Sequence, residues 1–176
     1  MNDLLLLAAL LPGPQHGYAL KKQVGLITGH GAMHNNLVYP LLRRFVENAW
    51  VSKRQSAGQR GQTREIYALT SKGKQELVRR LADFPQNEVA SENAFRVRVG
   101  LFDVLEAETR HRILASRDQF LASREQHLAR ISATVDAPPW GNQVVRFYRK
   151  QIRDERAWIA TLARRVRRET KVERDS

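Results

Sequence analysis

The sequence predicts a mainly α-helical chain of the α+β class, with a single small hairpin of strands, and three observations predict it. Apolar residues recur at helical spacing through most of the chain. The period turns extended only between Ala49 and Leu69, on either side of a Gly-containing loop. The strong breakers, "PGP" at 12–14 and "APPWG" at 137–141, fall between helical segments and not inside them. A chain of 176 residues has room for one domain or two small ones. Strand signals vanish after Pro85, so the expected units are 1–84 and 85–176.

The first element, "LLLLAALL" at 4–11, lies in a short helix over about 3–11 that is apolar all round and hence buried. Eight residues are too few to cross a bilayer, which takes about 20. Asp3 stands where a secretory signal would carry basic residues. A second helix over about 15–27 turns Tyr18, Leu20, Val24 and Ile27 inward, and "TGHGAM" at 28–33 is the turn that follows. The third helix, in "HNNLVYPLLRRFVENAWV" at 34–51, buries Val38, Leu41, Leu42 and Phe45 on one face. Asn35 or Asn36 caps its start, and Pro40 costs least near a helix start, where amides lack intrahelical acceptors. Residues 49–55 and 63–69 are the two strands of a hairpin whose tip carries Gly58 and Gly61. A helix over 70–84 follows, with Leu77, Val78 and Leu81 facing in.

The second half reads as helices. Phe95, Val99 and Phe102 share one face; Leu114, Leu121, Leu128 and Val135 repeat every seven residues, as do Val145, Ile152, Ile159 and Val166. Tyr148, Glu155 and Leu162 fill companion positions of the last repeat. Sustained heptads joined by a short connection indicate antiparallel helices that pack together or on another chain. One helical hairpin has too little interior to stand alone, so a homodimer is expected through Leu114, Leu121, Leu128, Ile152, Ile159 and Val166.

Charge points to the partner. Lys+Arg number 30 against 18 Asp+Glu, a net +12 that favours a polyanion such as nucleic acid or an anionic membrane surface. Residues 1–85 hold 12 Lys/Arg against 5 Asp/Glu, and residues 86–176 hold 18 against 13. With no cysteine, disulfides, thiolate metal sites and cysteine nucleophiles are excluded, which suits a reducing cytoplasm. Three helices followed by a basic hairpin form the pattern of a winged helix-turn-helix, whose third helix enters the DNA major groove while the wing follows the phosphates. On that pattern Asn35 and Asn36 cap the helix or bond base edges, since asparagine can contact adenine at two points. Tyr39 and Arg43 project one turn apart from the face opposite Leu42, to reach phosphate or base. Lys53, Arg54, Arg60 and Arg64 lie on a wing with no acid from Val51 through Arg64, and are expected on phosphates.

Three further stretches carry a family resemblance: "LLLLAALLPGPQHGYALKK", "LVYPLLRRFVENAWV" and "IYALTSKGKQEL". Gly13, Pro14, His16, Gly17 and Tyr18, then Tyr39 and Pro40, then Tyr67, Leu69, Thr70 and Gly73 stand in the order of the PadR family of bacterial transcriptional regulators. The chain resembles that family over residues 1 to 82, and in length and helical pattern its larger subfamily, whose C-terminal helices build the dimer. Two stretches depart from the pattern: "NNLVYP", where many members carry Gly or Ser and a small polar residue, and Ala49–Trp50, where Gly and an aliphatic residue are frequent. The resemblance implies a homodimeric repressor of a double-stranded DNA operator, released by a small molecule that in several members is a phenolic acid. Candidates for contact with such an aromatic acid are Arg117 and Arg124, as two-point carboxylate clamps, with His127, Trp140, Tyr148 and His16 as lining. Glu155 is the alternative partner for these arginines.

Other function classes fare worse. None of the dinucleotide, phosphate-loop, zinc-protease or nucleophile-elbow motifs occurs, so no enzyme and no cofactor are expected. His30 and His34 have the i, i+4 spacing of a metal pair but span Gly31 without a nearby carboxylate, so no metal site is expected either. The rival reading is a winged-helix module that binds a protein partner without sensing a ligand, and the acid-free wing argues against it. A regulator that senses oxidants would lack the usual thiol.

Overall fold

The computed structural model describes residues 1–28, 35–57, 63–134 and 138–174. Its backbone divides into two compact units, Met1–Asp83 and Phe84–Ser176.

In the first unit, helix α1 (Asn2–Ala8) is buried along Leu4, Leu5, Leu6, Leu7 and Ala8, as its unbroken apolar run requires. A two-residue strand, β1 (Gln15–His16), runs directly into helix α2 (Gly17–Thr28). Helix α3 (Asn35–Glu47) and strands β2 (Val51–Ala57) and β3 (Thr63–Leu69) follow, then helix α4 (Ser71–Ala82). The sheet is antiparallel in the order β1-β3-β2, so the hairpin gains a third strand that the sequence did not announce. Gln15 pairs with Tyr67 and His16 with Ile66, a stretch too short to show a period of two. Because β1 occupies Gln15 and His16, α2 begins later than expected and its buried face is set by Leu20 and Val24. Tyr18 stands about 200° around the helix from Leu20. It is 76% exposed, which corrects the inward position expected from sequence.

The turn between α3 and β2 joins most of this unit. The Ala49 amide donates to the Val46 carbonyl and the Trp50 amide to the Phe45 carbonyl, both at 2.9 Å, the paired bonds of a Schellman motif. The motif needs a left-handed residue, and Ala49 supplies it at φ 58°. Glycine is the usual residue there because a Cβ resists that conformation. The Trp50 carbonyl then accepts the Thr70 amide at 3.0 Å, while the Thr70 hydroxyl lies 2.8 Å from the Ala49 carbonyl. The same Thr70 oxygen caps α4 by accepting the Gly73 amide at 2.9 Å. A Cβ at Gly73 would stand 1.9 Å from the Trp50 carbonyl oxygen, so only glycine fits. Asp3 of α1 pairs with both Arg44 of α3 and Arg80 of α4, and the Arg80 guanidinium lies over the Trp50 ring at 4.8 Å.

In the second unit, α5 (Gln86–Val89) and α6 (Glu92–Val99) are short, and a 3-10 turn (Phe102–Val104) follows. Ser91 caps α6 through the Ala94 amide. Helix α7 (Ala107–Thr134) and helix α8 (Pro139–Arg174) run antiparallel, as cross-pairs of opposed numbering require: Arg110 with Glu169 and Arg117 with Glu155. Phe95 anchors the short helices, edge-on to Trp158 at 5.9 Å and stacked on Phe84 at 6.5 Å. Arg98, fully buried, pairs with Glu88 and covers the Phe84 ring at 4.5 Å.

The heptads have their partners within one copy. Leu114 and Leu121 of α7 and Ile152, Ile159 and Val166 of α8 are all buried in the single chain. Leu128 is half-buried, and Val135 lies outside the described residues. Five of the six residues expected at a dimer seam are thus covered within the single chain, and Leu128 is partly so. A seven-residue repeat tells which side of a helix is covered, and the cover here is the neighbouring helix of the same chain.

Two substitutions test the turn. Ala49→Gly relieves the left-handed strain and raises stability by about 0.5–1 kcal/mol, seen as a higher urea midpoint. Gly73→Ala forces the Trp50 carbonyl away and lowers stability by about 2 kcal/mol or more in the same measurement.

Candidate nucleic-acid interface

Helix α3 has two unlike sides. Val38, Leu42 and Phe45 are buried, with Leu41 half-covered. On the opposite side Asn36 and Arg43 are exposed and Tyr39 is 47% exposed, joined by exposed Leu37 and Pro40, which the sequence had not singled out. The helix continues through Pro40 and already includes Asn35 and Asn36, so neither asparagine is the cap position expected. The residue before Asn35 lies outside the described residues, as do the side chain of Asn35 and the turn 29–34 with His30. Arg43 and Arg44 are adjacent but not equivalent. Arg44 is tied to Asp3, whereas no acidic partner of Arg43 lies among the described residues.

The wing strands pair in register from Val51–Leu69 to Ala57–Thr63. By strand alternation, Lys53, Gln55, Glu65 and Tyr67 share one face, and Ser52, Arg54, Arg64 and Ile66 share the other. On the first face Lys53 Nζ and the Tyr67 hydroxyl both donate to the Glu65 carboxylate at 2.6 Å. The Lys53 bond, then the Tyr67 bond, holds the Glu65 carboxyl below the usual carboxylate range. Burial, reinforced by the bond to Glu65, pushes the Tyr67 hydroxyl well above its ordinary value. Lys53 is therefore partly neutralised. On the second face Arg54 and Arg64 are exposed, with no acidic partner among the described residues. Arg60, Gly58 and Gly61 lie outside those residues.

The three motifs picked out in the sequence meet at one place. A Cβ at Gly17 would lie 3.2 Å from Tyr39 Cε1 and 3.6 Å from Tyr67 Cε2, so this glycine admits both rings. Around them is an open groove of about 460 Å³, also lined by His16, Tyr18 and Arg64. His16 Nδ1 lies 3.2 Å from the Glu65 carbonyl oxygen and serves as its donor. The helix face, the turn and the wing thus form one surface of the first unit.

The second unit gathers three of the six residues considered for an effector. Arg117, Arg124 and Tyr148 line a pocket of about 380 Å³ with Phe120, Arg96 and Trp158, which sequence reasoning missed. Phe120 and Trp158 fall off the heptad positions, and Trp158 meets Phe95 of α6 edge-on. Arg117, 3% exposed, grips Glu155 with Nε at 2.8 Å and Nη2 at 3.0 Å, and donates Nη1 to the Val89 carbonyl at 2.6 Å. Its fork is occupied by protein, as the alternative pairing anticipated. Arg124 lies over the Tyr148 ring at 5.8 Å and is exposed. His127 is exposed and Trp140 is 84% exposed, and neither lines the pocket. His16 belongs to the first unit's groove. Among the described residues no group of three His, Cys, Asp or Glu is placed to hold a metal. No helix of the described residues is long and apolar enough to cross a membrane.

Comparison with known proteins adds the following. Residues 6–79 match the family model described as "Transcriptional regulator PadR-like family". No curated protein matches the chain. Among solved structures, PadR from Bacillus subtilis in complex with operator DNA is similar over 93% of this chain and 98% of its own, at 16% identity and TM-score 0.44. A PadR family transcriptional regulator from Eggerthella lenta is 29% identical over 43% of this chain and 63% of its own, with TM-score 0.37. A PadR family transcription regulator from Clostridium difficile is 21% identical over 58% of this chain and 94% of its own, with TM-score 0.40.

The network on the wing is open to titration. Lys53→Met removes the largest influence on Glu65, so its carboxyl pKa rises toward the ordinary value in a carbon-13 NMR titration. A depressed carboxyl stabilises the fold above its unfolded pKa and loses that contribution as pH falls through the folded value. The variant therefore loses less stability than the parent on acidification.

Proposed function

Because residues 6–79 of this chain belong to the PadR-like family of transcriptional regulators, we propose that the protein binds DNA sequence-specifically as a homodimeric repressor, released from its operator by a small effector. One observation carries the reading: α3 exposes Asn36, Tyr39 and Arg43 on a single side, and Tyr39 shares a groove with Arg64 of the wing. Side chains of these types on a helix fit the major groove, where asparagine reads adenine and arginine reads guanine or holds a phosphate. Arg54 and Arg64 are point charges for the backbone, and every phosphate they neutralise releases counterions.

Dimerisation is supported by a face of α8 that nothing among the described residues covers. Trp140, Val144 and Phe147 recur at i, i+4 and i+7 and are exposed, an apolar strip rare on monomers. A twofold pairing sets two α3 helices against successive turns of one duplex, about 34–36 Å apart. The effector's place is the pocket beside Arg124 and Tyr148, where a cation and aromatic walls suit an aromatic carboxylate.

With a duplex selected from a random pool, Tyr39→Ala or Arg43→Ala weakens binding at least about tenfold in fluorescence anisotropy, a loss of about 1.4 kcal/mol or more. Arg54→Ala with Arg64→Ala weakens all duplexes alike and flattens the salt slope by up to about 2 units. Weak, salt-insensitive association with every duplex would instead favour the protein-binding module. An aromatic carboxylate that raises the unfolding temperature of the parent, and fails to do so for Arg124→Ala/Tyr148→Ala, would locate the effector. Such a ligand at a hundred times its Kd adds about 2.7 kcal/mol.

A further inference from the structure

The charge of the chain is concentrated on its last helix. Helix α8 holds 11 Lys/Arg against 4 Asp/Glu, a net +7, while residues 86–176 as a whole carry 18 against 13. The cations are not spread around the helix. At about 100° per residue, Arg146, Arg153, Arg164, Arg167, Arg168 and Lys171 fall within roughly 100° of arc. The acids Asp154, Glu155, Glu169 and Glu173 all occupy positions outside it. These six cations are exposed, and none has an acidic partner among the described residues; Arg164 donates only to the Thr161 hydroxyl at 3.0 Å. The acids that reach this side from α7, Asp118 and Glu125, are held by Arg156, and Lys150 on its edge is held by Asp154.

Three sides of α8 thus have three characters. Ile152, Ile159 and Val166 are buried beneath it, Trp140, Val144 and Phe147 form an apolar strip, and the cationic arc lies between them on the remaining side. From this we infer that α8 is a second phosphate-binding surface, which grips duplex DNA independently of α3 and the wing. From Arg146 to Lys171 the arc extends about 38 Å along the helix axis, close to one turn of duplex. A straight row of this length meets several phosphates, since duplex DNA carries one charge per about 1.7 Å.

The other occupants of a basic face fit worse. A second copy would set cations against cations across a twofold axis. A membrane requires large apolar side chains flanking the charges, to enter the acyl layer. Here the residues between the cations are Ala157 and Ala160, and the exposed strip of Trp140, Val144 and Phe147 is confined to the first turns of the helix, short of five of the six cations.

The test uses the full chain and a random-sequence duplex of about 60 base pairs, across a series of salt concentrations. Replacing Arg146, Arg153, Arg167 and Lys171 by Gln lowers affinity at least about tenfold at 0.1 M salt and flattens the salt slope by about 3 units. Replacing the three arginines by Lys leaves binding unchanged, because a phosphate surface needs only the charge. The chain with Arg43→Ala, Arg54→Ala and Arg64→Ala retains steep, salt-dependent duplex binding, and adding the four Gln substitutions removes it. If the Gln variant keeps the parent's affinity and slope, the inference fails, and loss of binding in the α3-and-wing variant would leave the proposed function standing alone. It fails equally if the Gln variant loses binding only to phosphatidylserine vesicles or to polyglutamate.

Discussion

The backbone of Ala49 and Trp50 is the constraint on which the first unit depends. Two residues end α3, start β2, accept the strand-to-helix corner at Thr70 and press against the first turn of α4. The chain can make this turn only with a left-handed residue at 49 and no side chain at 73. Both conditions are backbone requirements, so they are invisible to hydropathy. The orientation of the exposed side of α3 relative to the wing follows from them, because α3 and β2 leave the same corner in fixed directions. The recognition surface is a consequence of how one helix stops.

Acidic residues decide which cations remain available. Asp3 takes Arg44 and Arg80 and leaves Arg43 pointing outward. Glu65 takes Lys53 and leaves Arg54 and Arg64. In the second unit Glu88 and Glu155 take the buried Arg98 and Arg117, while the arc of α8 has no acid of its own. Net charge alone does not separate these groups. A basic protein presents to a polyanion only the cations that its carboxylates have not already bound.

Much of this was legible in the sequence. The winged-helix order, the buried side of α3 and the exposed Asn36, Tyr39 and Arg43 follow from spacing and turn chemistry, which local residues determine. Strand β1 was not, because two residues have no period and their pairing with Tyr67 and Ile66 is decided some fifty positions away. Tyr18 misled because an aromatic near a helix start resembles core until the phase of the helix is known. The heptads of α7 and α8 marked covered positions, with Leu114, Leu121, Ile152, Ile159 and Val166 buried in the single chain. Periodicity reports burial, while the identity of the covering surface is a matter of tertiary structure. The cationic arc was legible too, as Arg and Lys at helical spacing, yet a count of charges conceals it.

The hold of Arg117 on Glu155 and Val89 has a further bearing on the long hairpin. Leucines and isoleucines slide past one another with little discrimination, but a planar fork closes on a carboxylate in one setting only. Sliding α8 by a single residue would carry Glu155 about 1.5 Å along and 100° around, out of reach. The pair therefore acts as a key that fixes the axial alignment of two greasy rods, and α5, whose carbonyl completes the grip, is locked by the same tooth.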